Sequence, residues 1–124
     1  MFGEMLRNVL DKTPGALSVV LMGFDGIAID QQTVDAPPAD QDSSSWNAAA
    51  VELAHISTQL KTISEGLGTG ELREVSVRTG SLTTVIRTVT EEYLIALSLA
   101  PDANAGKGRY LMRVLLPKLK AELI

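Results

Sequence analysis

Two stretches, Ala16 to Met22 (ALSVVLM) and Tyr93 to Ala100 (YLIALSLA), are apolar at nearly every position. Strict alternation of apolar and polar residues marks a strand with one wet face, whereas an unbroken apolar run of this length marks a strand covered on both faces. Two such strands demand a sheet sandwiched between other layers. A chain of 124 residues supplies one core for that purpose, so residues 1–124 read as a single domain.

The remaining segments supply the cover. Phe2 to Lys12 puts Phe2, Met5, Leu6, Val9 and Leu10 on one helical stripe, and Thr13-Pro14-Gly15 stops it. Asp25-Gly26 is a strong hairpin signal and joins the first apolar run to a second strand, Ile27 to Asp30. A long helix is expected over roughly Ser44 to Glu65, with Asp42 or one of Ser43 to Ser45 as its N-cap. Its apolar stripe reads Trp46, Ala49, Leu53, Ile56, Leu60, Ile63 and Leu67, with Gly66 ending it in a left-handed turn and Leu67 folding back. Leu72 to Thr79 alternates cleanly, as a half-exposed strand would. Leu82 to Val89 is β-branched, and with Tyr93 to Ala100 it completes an antiparallel meander. The closing helix, from about Lys107 to Leu123, aligns Tyr110, Leu111, Val114, Leu115, Leu119 and Leu123, with a kink expected at Pro117.

The expected fold is therefore α+β, in the order helix-strand-strand-helix-strand-strand-strand-helix. One five-stranded antiparallel sheet carries the long helix on one face and the terminal helices on the other. The first and fifth strands belong in the sheet interior, and the third at an edge.

Composition narrows function. Fifteen acidic and eleven basic residues give a net charge of −4, which disfavours indiscriminate binding to nucleic-acid phosphates. No apolar run reaches the roughly 20 residues of a membrane span, and the start lacks a secretory apolar region, so a cytoplasmic protein with no membrane contact is expected. Without cysteine, and with His55 as the single histidine, soft-ligand metal sites are nearly excluded. Between Thr13 and Leu60 there are six acids and no Lys or Arg, three of the acids in the proline-bearing loop Asp35 to Ser45. From Ala105 onward five bases oppose one acid.

No motif announces catalysis. His55 lacks a partner at nucleophile spacing, and no esterase elbow, zinc-protease or calcium-loop pattern is present. The segment ANAGKGR departs from a phosphate-binding loop, with Pro101 where a Gly is required and Gly108 after the lysine. Lys107 and Arg109 at a helix start suit at most weak anion binding. Arg7, Arg73, Arg78, Arg87, Arg109 and Arg113 are all candidates for a residue acting in trans on a nucleotide, and the sequence selects none. A protein that is not an enzyme and has no cofactor or metal is expected. Trp46 reads as a core anchor or as a partner-facing aromatic. With Asn47, Val51, His55, Thr58 and Thr62 it marks a mild helical strip suited to a partner or to a second copy.

Three segments in this order resemble the roadblock (dynein light-chain) family: TPGALSVVLMGFDGIAI, AAAVELAHISTQLKTISEGLG and AGKGRYLMRVLLPKLKAEL. Together they span essentially the whole chain. The Asp35–Ser45 loop and Pro117 depart from the family's pattern. The resemblance implies a dimer that pairs third strands edge to edge, here through Leu72, Glu74, Val75, Ser76, Val77, Arg78 and Thr79. It also implies a platform for partners, which in the MglB-type branch are small Ras-like GTPases whose hydrolysis the dimer assists. An adaptor forming mixed roadblock oligomers, without effect on nucleotide turnover, is the alternative. An enzyme or small-molecule sensor is a third, for which the sequence shows no convergent titratable groups. The dimer fits the residues independently, because a bare strand edge calls for cover and a two-fold pairing provides it.

Overall fold

A computed structural model describes residues 2–37 and 43–123. The elements are α1 (Phe2–Lys12), β1 (Ala16–Gly23), β2 (Ala28–Thr33), α2 (Ser43–Gly66), β3 (Glu74–Arg78), β4 (Thr83–Thr88), β5 (Tyr93–Leu99) and α3 (Ala105–Leu123). The five strands form one antiparallel sheet in the order β2-β1-β5-β4-β3. The two doubly apolar strands, β1 and β5, lie side by side in its interior, and β3 is an edge.

Alternation sorts the side chains into two cores. Val19 and Leu21 of β1 join Leu6 and Leu10 of α1 and Met112, Leu115 and Leu119 of α3. Val20 and Met22, one position out of phase, join Ala50 and Ala54 of α2. The sheet therefore carries α2 on one face and α1 with α3 on the other, as the strand pattern required.

Two glycines let these layers close. Gly15 turns the chain into β1 with a φ of +84°, and a Cβ there would lie 2.5 Å from the Cβ of Ala103. Gly108 brings α3 so near β5 that a Cβ would lie 2.4 Å from Leu97 Cδ2. Asn104 Oδ1 accepts from the Lys107 amide and caps α3, which starts at Ala105 and not at Lys107.

Several local expectations are corrected. Strand β2 continues to Thr33 instead of ending at Asp30, with its register shifted by an irregularity near Ile29. Strand β3 covers Glu74–Arg78, leaving Leu72 and Thr79 flanking it. Helix α2 turns Trp46, Ala50, Ala54 and Ser57 inward, while Ile56, Ile63 and Leu67 of the expected stripe face out. The small residues allow the helix to lie close on the sheet, which bulkier ones would prevent. On α3, Tyr110 and Val114 are exposed, and Gly108, Met112 and Leu116 are buried with Leu115 and Leu119. The helix runs on through Pro117, on its exposed side.

The left-handed end of α2 falls on Gly68, with φ of +69°, and not on Gly66. The Thr69 amide donates to Ser64 O and the Gly68 amide to Glu65 O, a paired cap that satisfies two terminal carbonyls. Leu67 stays exposed beside it. The expected N-cap at Asp42, and Asp40 of the acidic loop, lie outside the described residues.

Candidate protein-interaction surfaces

The sheet has two edges, and they differ. On β4 the Thr88 amide donates to Arg73 O, and at the other end the Thr79 amide donates to Leu82 O. In an antiparallel ladder the inward residues alternate, so Val75 and Val77 pair with β4 while Glu74, Ser76 and Arg78 turn their N–H and C=O groups outward. That edge is open. On β2 the outward amide of Gln31 is met by the Asp30 carboxylate, and the outward carbonyl of Thr33 accepts from Arg7 Nη1. Side chains thus blunt the β2 edge and leave β3 available.

Next to the open edge lies apolar surface. Ile56 is 47% exposed, Ile63 54% and Leu67 74%, and the partly buried Leu53 and Leu60 join them along one ridge of α2. Between α2 and the β3–β4 hairpin runs a groove of about 400 Å³, lined by Trp46, Ala49, Leu53, Val77 and Leu82. Edge, groove and ridge are continuous.

The expected platform strip divides. Trp46 does not stand on the outer surface, being 1% exposed. Asn47 Oδ1 accepts from Gln31 Nε2 of β2. Val51 and His55 rest on the β1–β2 hairpin, where a Cβ on Gly26 would meet Val51 Cγ1 at 3.0 Å and His55 Nε2 at 3.3 Å. His55 Nε2 also lies 3.4 Å from Asp25 O. Thr58 and Thr62 are exposed, each hydroxyl donating to the carbonyl four residues back. The strip therefore seats a hairpin at one end and is free at the other. The exposed ridge Ile56–Ile63–Leu67, which sequence reasoning assigns to the core, is the larger apolar surface. Its signal is present in the sequence as a bulky stripe on a helix that also bears a small-residue stripe.

Most arginines are engaged. Arg7 pairs with Asp11 and Asp35, and Arg78 donates to Pro101 O. Arg109 Nε lies 3.1 Å from both oxygens of Glu74, tying α3 to the edge strand, so it does not stand ready for an anion. Arg113 lies over the Tyr110 ring. Among the described residues no group of three or more His, Asp or Glu could hold a metal ion, and no helix is long and apolar enough to cross a membrane.

A sheet of this order, between one long helix and two terminal ones, is the architecture of the roadblock-type domain. The solved structure of MglC from Myxococcus xanthus is 43% identical, with 96% of each chain covered and a TM-score of 0.66. A Roadblock/LC7 domain from Streptomyces avermitilis superposes at a TM-score of 0.80 with 19% identity, covering 97% of this chain and 95% of that one. The gliding protein MglB from Thermus thermophilus gives 0.78 at 18% identity, covering 95% and 84%. No family model matches the chain, and no curated protein does. The chain belongs to the roadblock/LC7 family, in the branch that includes MglC and MglB.

Proposed function

We propose that this chain is a non-catalytic cytoplasmic protein that works as a homodimer, binds a small Ras-like GTPase and assists its GTP hydrolysis. The observation that carries the reading is the open β3 edge beside the exposed α2 ridge. Unpaired backbone groups and a contiguous apolar surface in one place are what an isologous interface uses. A two-fold antiparallel pairing that employs all three outward residues on both strands centres on Ser76. It sets each Glu74 opposite the Arg78 of the second copy, whereas centring on either charged residue would oppose like charges. The free end of the platform strip, Thr58 and Thr62, lies on the hairpin side of α2, away from β3, so each copy offers its own floor to the GTPase. Trp46, Asn47, Val51 and His55 hold that floor on the sheet.

The experiment is a binding titration of the purified protein against a Ras-like GTPase loaded with a non-hydrolysable GTP analogue or with GDP. Tighter binding of the GTP state is expected, because a regulator shifts a switch only by its differential affinity. Equal affinity for the two states removes the regulatory role.

The second reading, an adaptor in mixed roadblock oligomers, is favoured by a specific observation. Arg7, Arg78 and Arg109 are held by acids or carbonyls within the chain, which leaves few guanidinium groups free to act on a nucleotide. Sequence identity is also far higher to MglC than to the MglB structure. In this reading the protein pairs with another roadblock chain, and GTP turnover is unchanged by its addition.

A further inference from the structure

A cleft of about 490 Å³ opens where β3 begins, between the C-terminal half of α2, the loop that follows it, the end of β4 and the last turns of α3. Four cations line it, Lys61, Arg73, Arg87 and Lys120. Three carboxylates, Glu65, Glu71 and Glu91, line it too, yet none of the four cations forms an ion pair with any acid among the described residues. Arg87 is the sharpest case. Its Nε is buried and donates to nothing among the described residues. Its cross-strand neighbour on the same face is Glu74, but both oxygens of Glu74 are held by Arg109. A buried guanidinium donor without an acceptor costs free energy that a bound acceptor would recover. Lys61 meanwhile donates to Glu91 O and lies over the Phe24 ring, which fixes one wall of the cleft.

We propose that this cleft binds a small molecule bearing an oxyanion, a phosphate ester or a carboxylate, with Arg87 as its anchor. The planar fork of Arg87 suits either oxyanion, and Arg73 and Lys120 flank it as further donors. The three glutamates would repel a bare polyanion. They accept hydrogen bonds instead from hydroxyl or ammonium groups on the same ligand, which selects a small polar metabolite over nucleic acid. This site stands apart from the dimer reading, which can fail without touching it.

The test is an NMR titration of the intact protein at constant ionic strength, following the Arg87 Nε–H resonance and the backbone amides. The probes are glycerol 3-phosphate in one arm and malate, a hydroxycarboxylate, in the other. Saturable shifts of Arg87 Nε–H and of amides around the cleft are expected with at least one probe, and the arm that saturates identifies the oxyanion. Arg87→Met, which can pack against Val89 and Leu116, should weaken that affinity about tenfold or more, the loss expected for one charge-assisted hydrogen bond. Lys120→Ala, at the exposed rim, gives a milder loss and serves if Arg87→Met does not fold. Lys118→Ala, outside the cleft on the same helix, should change nothing. Absence of saturation with both probes overturns the proposal. So does an equal loss in Lys118→Ala, which would mark general charge attraction.

Discussion

Gly66 and Gly68 lie close together at the end of α2 and respond oppositely to a methyl group. Gly68 holds a φ of +69°, where a Cβ crowds the following carbonyl, so Gly68→Ala should destabilise by about 1 kcal/mol. Gly66 is the last helical residue, has an ordinary φ, and a Cβ there would meet nothing within 4 Å. Gly66→Ala should therefore stabilise by roughly 0.5–1 kcal/mol through helix propensity and a less free unfolded chain. Gly15→Ala combines a positive φ with a 2.5 Å approach to Ala103 and should cost about 2 kcal/mol or more. Urea midpoints at one fixed protein concentration check all three, and a Gly66→Ala loss as large as that of Gly68→Ala would move the cap back to Gly66. From sequence the two positions look alike, since both are glycines just past a periodic stretch. Only the pairing of the Thr69 and Gly68 amides with Ser64 and Glu65 decides between them.

At the scale of the element, β3 allows a substitution that separates assembly from folding. The Ser76 amide points away from β4, so Ser76→Pro removes no ladder bond and meets the tolerance that edge strands show for proline. The variant should keep its circular dichroism but run as a monomer by light scattering, melting below the native protein wherever the latter is dimeric. Val75→Pro, one residue away, deletes a bond to β4 and should unfold. A Ser76→Pro variant that stays dimeric sinks strand pairing through β3. On α2, Ile63→Glu should act likewise, weakening association about tenfold or more by putting a charge into apolar surface, with little change in monomer stability. The sequence discloses β3 as an edge because its polar alternation is a property of the strand alone. It conceals which side of α2 faces the sheet. Hydrophobic periodicity reports that a face is apolar, and a face turned to the chain's own sheet reads the same as one left exposed. The bulky Ile56–Ile63 stripe therefore reads as core in preference to Ala50 and Ala54.

For the whole molecule the order of the strands is legible, because two apolar runs can only sit inside a sheet covered on both faces, and short connections leave few ways to arrange the other three. The candidate surfaces are legible only in part. Exposure of the α2 ridge, the seating of Val51 and His55 on Gly26, and the capture of Arg109 by Glu74 all arise from contacts between elements distant in the chain. If the open edge and the ridge are buried together against a second copy, association is linked to folding, and thermal stability must depend on concentration. A tenfold rise in protein concentration then adds about 1.4 kcal/mol per mole of dimer, or half that per chain. For a domain of this length that corresponds to a Tm higher by roughly 2–3 °C. Scanning calorimetry across a hundredfold range should thus show a rise of about 5 °C, and the rise should vanish in Ser76→Pro, whose melting should be independent of concentration. A native Tm that stays constant over that range means that the chain folds alone, and then the exposed ridge of α2 must answer to a different protein.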